Sequence, residues 1–486
     1  MSIIFAGMFA LLALLIVLKV LRDDAKGEVP LASARNIYLA GFTMFQVTSS
    51  IYVSLGYFRM GFHISEPVAT QLKFALYIVL FLVTFFIGYK FVRPARLLRS
   101  KVRSSFTHEG ATTVQLILLA LTLTVIGFVF KYAVNVPYIG ALTGYTGIGL
   151  AGIAAGIGGW LWAPKIFNPT FIFIAGFFLL ANLVTSTITG YGRRDELAIF
   201  ICFAWGMFHS HFRYKKLMTY FPIIAALGLT TLLAIGALSS VRREAEEVSF
   251  ARRIQLYLFE SDPVEPTIEL LEGQNAGQIS MWLTEVYPER FDYHYFRTFK
   301  YFFTFPIPRA IWEGKPDTLS GELAVKAGLR GVDRTQGARE GLNIGPGIVG
   351  TAHADGGLPM ILFYGFVIGA GLRLADQFLI ETPRRMFLVL PISAAAGDLI
   401  ASPRGAVAPM TFQYAWSVSS CIAVMAVLPR LLRFPRKIDT GEPEPLRKEH
   451  MRKAANEPTP QTAPAPTTPD APHRPHDDNW AAMPTA

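Results

Sequence analysis

The sequence predicts an all-α polytopic membrane protein with about eleven transmembrane helices, one large extracytoplasmic loop and a disordered cytoplasmic tail. Only 16% of its residues are charged, whereas soluble domains carry about 25%. Its mean hydropathy is +0.38. The apolar residues gather in runs of about 20, the length that crosses ~30 Å of hydrocarbon. These observations predict helices that span a bilayer.

The apolar runs define the predicted helices in chain order. The first run lacks a basic n-region and a small-residue cleavage site, so we interpret it as a span and not as a signal peptide. The fifth run is rich in glycine, which predicts close helix packing in lipid. The runs cover about 2–21, 37–57, 74–92, 112–130, 139–163, 169–187, 196–210, 218–239, 357–374, 386–401 and 406–428.

The basic residues predict the orientation of the chain. They concentrate in loops at 90–103, 213–216 and 430–437, and positively charged loops mark the cytoplasmic side. With alternating helices, the N-terminus lies outside, the C-terminus lies inside, and the loop at 240–356 faces outward. The net charge of +10 follows from the same bias, so no nucleic-acid partner is predicted.

Four regions are predicted. They are helices 1–8 in residues 1–239, the extracytoplasmic loop in 240–356, helices 9–11 in 357–428 and a disordered tail in 438–486. The tail is rich in Pro, Ala, Thr and charged residues and lacks the apolar content of a core.

Cofactor and metal motifs do not stand out. Cys202 and Cys421 lie inside apolar runs, which predicts packing residues and not a disulfide or a metal site. The glycines near residue 345 follow no strand, so a nucleotide-binding loop is not predicted.

An aromatic segment, YHYFRTFKYFF, lies in the long loop and surrounds Arg297 and Lys300. One interpretation is an interfacial helix whose rings sit at headgroup depth. The other is a stacking surface for sugar rings, to which Tyr293 and Tyr295 contribute. Both interpretations can hold together.

The stretch FPIPRAIWEGKP follows directly. Pro306 and Pro308 predict an extended, non-helical segment that presents Arg309 and Lys315 with Trp312 between them. The segment either packs on the protein through its tryptophan or binds phosphate, since Arg binds oxygens bidentately and Lys acts as a point charge.

The stretch GLNIGPGIVGTAHADGGLP leads into the ninth predicted helix. Its glycines allow close approach of a ligand to the backbone. His353 and Asp355 come just before that helix. Asp355 is a good N-cap, and His353 can act as acid or base near neutral pH. We therefore take both as candidate catalytic residues, with helix capping as the alternative for Asp355.

Arginines occur in two short turns that are predicted to face outward, where arginine is unusual. Arg193 and Arg194 stand in TGYGRRDE, and Arg404 stands in SPRGAV. Charges at the membrane edge often mark function, and a lipid-linked pyrophosphate is the candidate ligand. The structural alternative is pairing of Arg193 or Arg194 with Asp195 or Glu196, and of Arg404 with Asp398.

Taken together, the late outward loop, FPIPRAIWEGKP and GPGIVGTAHADGGLP resemble bacterial O-antigen and exopolysaccharide polymerases of the Wzy type. The resemblance spans roughly residues 193–404. It implies a glycosyltransferase that joins oligosaccharide repeat units carried on undecaprenyl pyrophosphate, at the outer face of the cell inner membrane. It also implies contact with membrane lipid, a chain-length regulator and a flippase as partners, and no cofactor.

The resemblance assigns roles to the candidate residues. His353 and Asp355 would be catalytic. The pyrophosphate would be bound by Arg193, Arg194, Arg309, Lys315 and Arg404, and the sugars by Trp312, Tyr293 and Tyr295.

Two other functions stay open: an O-antigen ligase-like enzyme, and a flippase or other transporter of lipid-linked sugars. No internal repeat is evident, and the charges cluster outside the predicted spans, which favours an enzyme over a transporter.

Overall fold

The protein is described by a computed structural model. The predicted tail at 438–486 and Arg309 lie outside the described residues. Every regular element within them is helical. The described residues are 2–57, 62–92, 111–134, 140–187, 193–215, 217–240, 252, 255–271, 275–308, 311–315, 318–327, 344–381, 385–405 and 407–435.

The helices vary widely in length. π-Helical stretches occur at Thr43–Thr48, Val129–Ala133 and Leu256–Glu260. The α-helices are α1 (Ser2–Ala25), α2 (Ala34–Phe42), α3 (Ser49–Ser54), α4 (Pro67–Phe91), α5 (Thr113–Phe128), α6 (Gly140–Trp162), α7 (Pro169–Thr187), α8 (Arg193–Ser210), α9 (Leu217–Ser240), α10 (Val264–Leu271), α11 (Ala276–Val286), α12 (Arg297–Thr304), α13 (Leu319–Lys326), α14 (Ile348–Glu381), α15 (Met386–Ile392), α16 (Ala396–Ala401) and α17 (Val407–Leu431).

Eight helices in the described part of the chain are long and apolar enough to cross a membrane. The chain is therefore a polytopic α-helical membrane protein, as predicted. Three of the eleven predicted spans differ from these eight. Helix α7 contributes a shorter apolar stretch, α8 begins with four charged residues, and the predicted span at 37–57 is divided by a π-helical stretch. The eight spans are Ser2–Ala25, Pro67–Phe91, Thr113–Ala133, Gly140–Lys165, Tyr220–Ala237, Ile348–Glu381, Met386–Arg404 and Val407–Leu431.

The divided span follows one helical path, because Phe42 and Thr48 keep right-handed helical dihedrals. The π-helical stretch places Gln46 in the interior, where its Nε2 donates to the Pro403 carbonyl at 2.9 Å. π-Helical stretches are frequent at functional sites. Here the polar side chain of Gln46, which interrupts the apolar run, makes a hydrogen bond inside the helix bundle.

Helix α6 is the glycine-rich helix, and the tight packing predicted for it is confirmed. Gly156 faces the backbone of Cys202, and Gly206 of α8 approaches the Gly156 carbonyl so closely that no side chain fits between them. Cys202 and Cys421 are both buried and free, as packing residues should be. Close backbone approach is the usual way in which helices associate in lipid.

Helix α14 begins nine residues earlier than predicted and contains a break. Gly356 has φ 154° and ψ 32°, and Gly357 has φ 68° and ψ −149°, which are conformations that other residues rarely adopt. The residues before the break, Ile348–Asp355, are helical. His353 and Asp355 therefore lie inside a helix and not in the loop before one, and the predicted boundary near 357 falls within α14.

The two ends of α14 provide landmarks for the bundle. At the Glu381 end, Tyr89 of α4 donates to Asp376 at 2.9 Å, and Arg213 after α8 donates to the Leu379 carbonyl at 3.0 Å. Phe434, after α17, packs on Phe387. The helices that precede the three predicted basic loops thus all end at the Glu381 end.

The described residues between 276 and 327 lie at the other end of α14, the Ile348 end. Within it, α11 is almost wholly buried and packs against α4 and α14. Its eleven residues reach only ~16 Å, too short to span a bilayer. Lys73 of α4 donates to the Thr284 carbonyl at 2.7 Å. The predicted outward loop at 240–356 is therefore partly built into the helix bundle.

Candidate functional site

Helix α12 forms from the aromatic segment YHYFRTFKYFF and docks between α14 and α17. Phe299 contacts Phe363 of α14 with ring centroids 5.5 Å apart. Phe302 contacts Phe412 of α17 at 5.8 Å. The helix is amphipathic, because its phenylalanines recur at helical spacing. Its other side carries Arg297 and Lys300.

Asp355 fixes the start of α12 to α14. Its Oδ2 accepts a hydrogen bond from the Thr298 backbone N at 2.9 Å and another from the Tyr364 hydroxyl. Asp355 is 1% exposed, and its Oδ1 has no hydrogen-bond partner within the described ranges. Asp355 therefore acts as a cap, but for α12 and not for the helix that follows it in sequence.

His353 lies behind the aromatic residues of the loop. Its Nε2 is 2.9 Å from the Tyr287 carbonyl oxygen, so this nitrogen carries the proton and donates. The ring packs between Tyr77 and Tyr293, with centroid distances of 5.3 and 5.8 Å. The imidazole is buried, and its contacts are those of a packing residue that supports Tyr293.

The described residues of FPIPRAIWEGKP, 305–308 and 311–315, form turns, whereas the sequence predicted an extended segment. The Lys315 ammonium donates to the carbonyls of Phe305 and Ile307 at 2.8 and 2.9 Å. It also lies over the ring of Tyr301. A cation suits these carbonyls, which follow the C-terminus of α12. Lys315 is buried, so its position does not support the pyrophosphate role that the sequence predicted.

The predicted arginine cluster is only partly described, since Arg309 and the side chain of Arg193 lie outside the described residues. Arg194 pairs with Asp398 at 3.2 Å, the acid that the sequence assigned to Arg404. Arg404 instead lies against Gly345, and its carbonyl accepts from the Gly347 backbone N at 2.6 Å.

A cavity of about 490 Å³ opens beside the cationic side of α12. Tyr295 is 66% exposed and Trp312 is 40% exposed, so both rings are available for stacking. Tyr293 packs edge-on against Tyr295 at 6.1 Å. The three predicted sugar-binding residues therefore lie in or next to this aromatic–cationic cavity. It is lined by His294, Tyr295, Arg297, Lys300, Tyr301, Phe303, Thr304 and Trp312.

The cations of this cavity differ from those that the sequence predicted. Arg297 and Lys300 line it, although the sequence placed them only within an aromatic segment. Arg297 forms an ion pair with Glu322 of α13, a residue that the sequence analysis missed. The signal that could have found it is the pairing of Glu322 with Lys326 at i, i+4 spacing.

His294 lines the cavity and is held neutral. The Lys326 ammonium and the Tyr287 hydroxyl both lie 3.0 Å from its Nε2, and Lys326 also donates to that hydroxyl at 2.7 Å. Burial lowers the pKa of His294 to about 4, and the cations Lys326 and Arg297 act in the same direction. Burial raises the pKa of Glu322, but Arg297 and Lys326 outweigh it and hold that pKa below its usual value.

Acidification from pH 7 to pH 5 is expected to lower the melting temperature, in part through His294. The unfolded chain protonates this residue near pH 6.5 and the folded chain near pH 4. The unfolded state therefore binds more protons in this window, and stability falls as the pH falls. On acidification, the melting temperature of His294→Gln should fall less than that of the parent protein. The control His63→Gln changes an exposed position, and its melting temperature should fall as much as that of the parent. Equal losses in all three proteins would contradict the prediction.

The fold and the site define a polytopic helical membrane protein with an aromatic–cationic cavity at one end of its bundle. In the described part of the chain, no group of three or more His, Cys, Asp or Glu residues could hold a metal ion. No family model, curated protein or solved structure matches the chain. The function is therefore argued from the geometry of the site.

Proposed function

We propose that the protein is a glycosyltransferase that joins oligosaccharide units carried on undecaprenyl pyrophosphate, as the resemblance to Wzy-type polymerases implies. The observation that carries the proposal is the aromatic–cationic cavity. Trp312 and Tyr295 offer exposed ring faces to sugars, and Arg297 and Lys300 offer positive charge to a phosphate. Arginine is well suited to phosphate oxygens. A lipid-linked glycan combines both chemistries.

In the proposed reaction, the hydroxyl oxygen of one unit attacks the anomeric carbon of another. A glycosidic bond forms, the bond between the anomeric carbon and the pyrophosphate oxygen breaks, and the hydroxyl proton passes to solvent water. Negative charge develops on the departing pyrophosphate. Arg297, oriented by its ion pair with Glu322, and Lys300 stabilise this charge, which is usually the largest contribution to catalysis.

The remaining candidates support this arrangement indirectly. His353 supports Tyr293 by packing. Asp355 holds the start of α12, next to Arg297. His294 lines the cavity, and its lowered pKa keeps the ring neutral near pH 7.

The proposed location is the outer face of the cell inner membrane. The helices that precede the predicted basic loops end at the Glu381 end of α14, which the positive-inside rule assigns to the cytoplasm. The Ile348 end, with the cavity, then faces outward. A lipid-linked glycan reaches the protein on that side after a flippase has moved it, and a chain-length regulator would act there too.

The proposal is tested with purified protein in liposomes that contain undecaprenyl-pyrophosphate-linked oligosaccharide. Longer lipid-linked chains are expected. Glycan transferred to another acceptor would indicate a ligase, and movement across the bilayer without new bonds would indicate a flippase.

Variants of the cavity make the test specific. Arg297→Ala is expected to lower the rate about 10²-fold, the usual effect of removing one donor from an oxyanion site. Lys300→Ala, at an exposed position, should reduce it without loss of folded protein. Arg252→Ala breaks an exposed ion pair with Glu260 and serves as the control. Full activity of both cavity variants would remove this cavity from the mechanism.

A further inference from the structure

A second cavity, also of about 490 Å³, forms an apolar groove between α14 and α17. Along α14 its lining runs from Tyr364 to Phe378, a distance of ~21 Å at 1.5 Å per residue. The hydrocarbon core of a bilayer is ~30 Å thick. A groove of this length can hold a hydrocarbon chain to beyond the midplane of the bilayer.

The groove is deeper than a crevice between two lipid-facing helices. Its lining includes Tyr38 of α2, Ile392 of α15 and Leu399 of α16, all of which are buried. Other lining residues, such as Val367 and Ala415, are exposed. The groove thus reaches from the membrane-facing surface to the second layer of helices, which the lipids around a protein do not normally enter.

Helix α12 separates the groove from the aromatic–cationic cavity. Phe299 and Phe302 line the groove, Arg297 and Lys300 line the cavity, and Phe303 lines both. An apolar space therefore adjoins a cationic space across one amphipathic helix. This arrangement matches a molecule with a long hydrocarbon chain and an anionic head.

We propose that the groove binds the polyisoprenoid chain of the lipid-linked substrate while its phosphate lies in the aromatic–cationic cavity. The inference rests on the proposed function and adds the place of the lipid chain. The chain would exchange its contacts with lipid tails for van der Waals packing inside the groove, which holds the substrate at this site. With the chain held at one depth in the membrane, the anionic head lies next to Arg297.

The experiment uses full-length protein in nanodiscs, with undecaprenyl phosphate as the probe. Ser419 lines the groove and is exposed, so a Ser419→Cys variant should react with a membrane-permeant maleimide. Cys202 and Cys421 are buried and should react slowly. Undecaprenyl phosphate is expected to slow the labelling, and phosphatidylglycerol at the same mole fraction is not. No protection, or equal protection by phosphatidylglycerol, would overturn the proposal.

A matched pair of glycines tests the site without disturbing the fold. Gly371 lines the groove, and a Cβ there would contact nothing within 4 Å. Gly371→Leu should raise the concentration of undecaprenyl phosphate that gives half-maximal protection about tenfold, because the added side chain fills space that the lipid chain would occupy. Ala415→Leu is a second variant with the same expectation. Gly7 of α1 is also exposed with open space around it, and Gly7→Leu should change nothing.

The two proposals can fail separately. Protection is measured with a probe that carries no glycan, so it does not depend on polymerisation. If undecaprenyl phosphate protects Ser419→Cys but no longer chains form in liposomes, the polymerase proposal is wrong and the lipid-site proposal stands. If longer chains form without protection, the lipid-site proposal alone is wrong. Full polymerisation activity of both Gly371→Leu and Ala415→Leu would also contradict the lipid site alone.

Discussion

Replacing Gly357 by alanine is expected to destabilise the protein strongly. A residue with φ 68° and ψ −149° occupies a region that is nearly exclusive to glycine, and this strain alone amounts to about 1–3 kcal/mol. A Cβ at this position would also lie 2.9 Å from the Tyr293 hydroxyl. Either the break in α14 or the position of Tyr293 must change. The measurement is thermal unfolding of the purified protein in detergent.

Gly371→Ala is the matched control for Gly357→Ala. Both glycines lie in α14, but position 371 is helical and has open space around it. Alanine there should be neutral or slightly stabilising, because it favours the helix. Polymerisation should fall in the Gly357 variant, since Tyr293 adjoins the cavity. Equal melting temperatures for the two variants would mean that the break is not a structural requirement.

Asp355→Ala is expected to release α12 from α14. The change leaves the Thr298 backbone N–H and the Tyr364 hydroxyl without their acceptor. Each unsatisfied buried donor costs about 1–3 kcal/mol, so a loss of roughly 3 kcal/mol in the free energy of unfolding is expected. Because α12 carries the two cations of the cavity, polymerisation should be lost as well. Thermal unfolding and the liposome reaction measure the two effects.

Two further variants separate docking from chemistry at Asp355. Asp355→Asn keeps an oxygen that can accept from Thr298, so a docking role predicts that much of the activity survives. A catalytic carboxylate, as first predicted, would instead give a folded but inactive Asn variant. Tyr364→Phe removes only one of the two hydrogen bonds and should show about half of the destabilisation. Normal stability of Asp355→Ala would contradict the docking role.

Several features of the fold were predictable because they depend on local composition. An apolar run of about 20 residues crosses a bilayer whatever its neighbours are, and the described part of the chain contains eight such helices. The glycines of α6 predicted close packing for a similar reason, because a helix without side chains on one face can approach any partner. Helix α8 was harder to assign as a span because its first turn carries Arg193, Arg194, Asp195 and Glu196.

The sequence alone determined the membrane class, the approximate helices and the segment that forms the cavity. The tertiary structure decided which cations that cavity receives. Lys315 turns inward to backbone carbonyls, and Arg297 is oriented by Glu322 from another helix.

Partners far apart in sequence could not be predicted either. Asp355 caps α12 through Thr298, which lies 57 residues earlier in the chain, and Arg194 pairs with Asp398 across 204 residues. Composition and periodicity determine how a segment interacts with lipid. The partner of a buried polar group depends on which distant segments the packed helices bring together, and no local pattern contains that information.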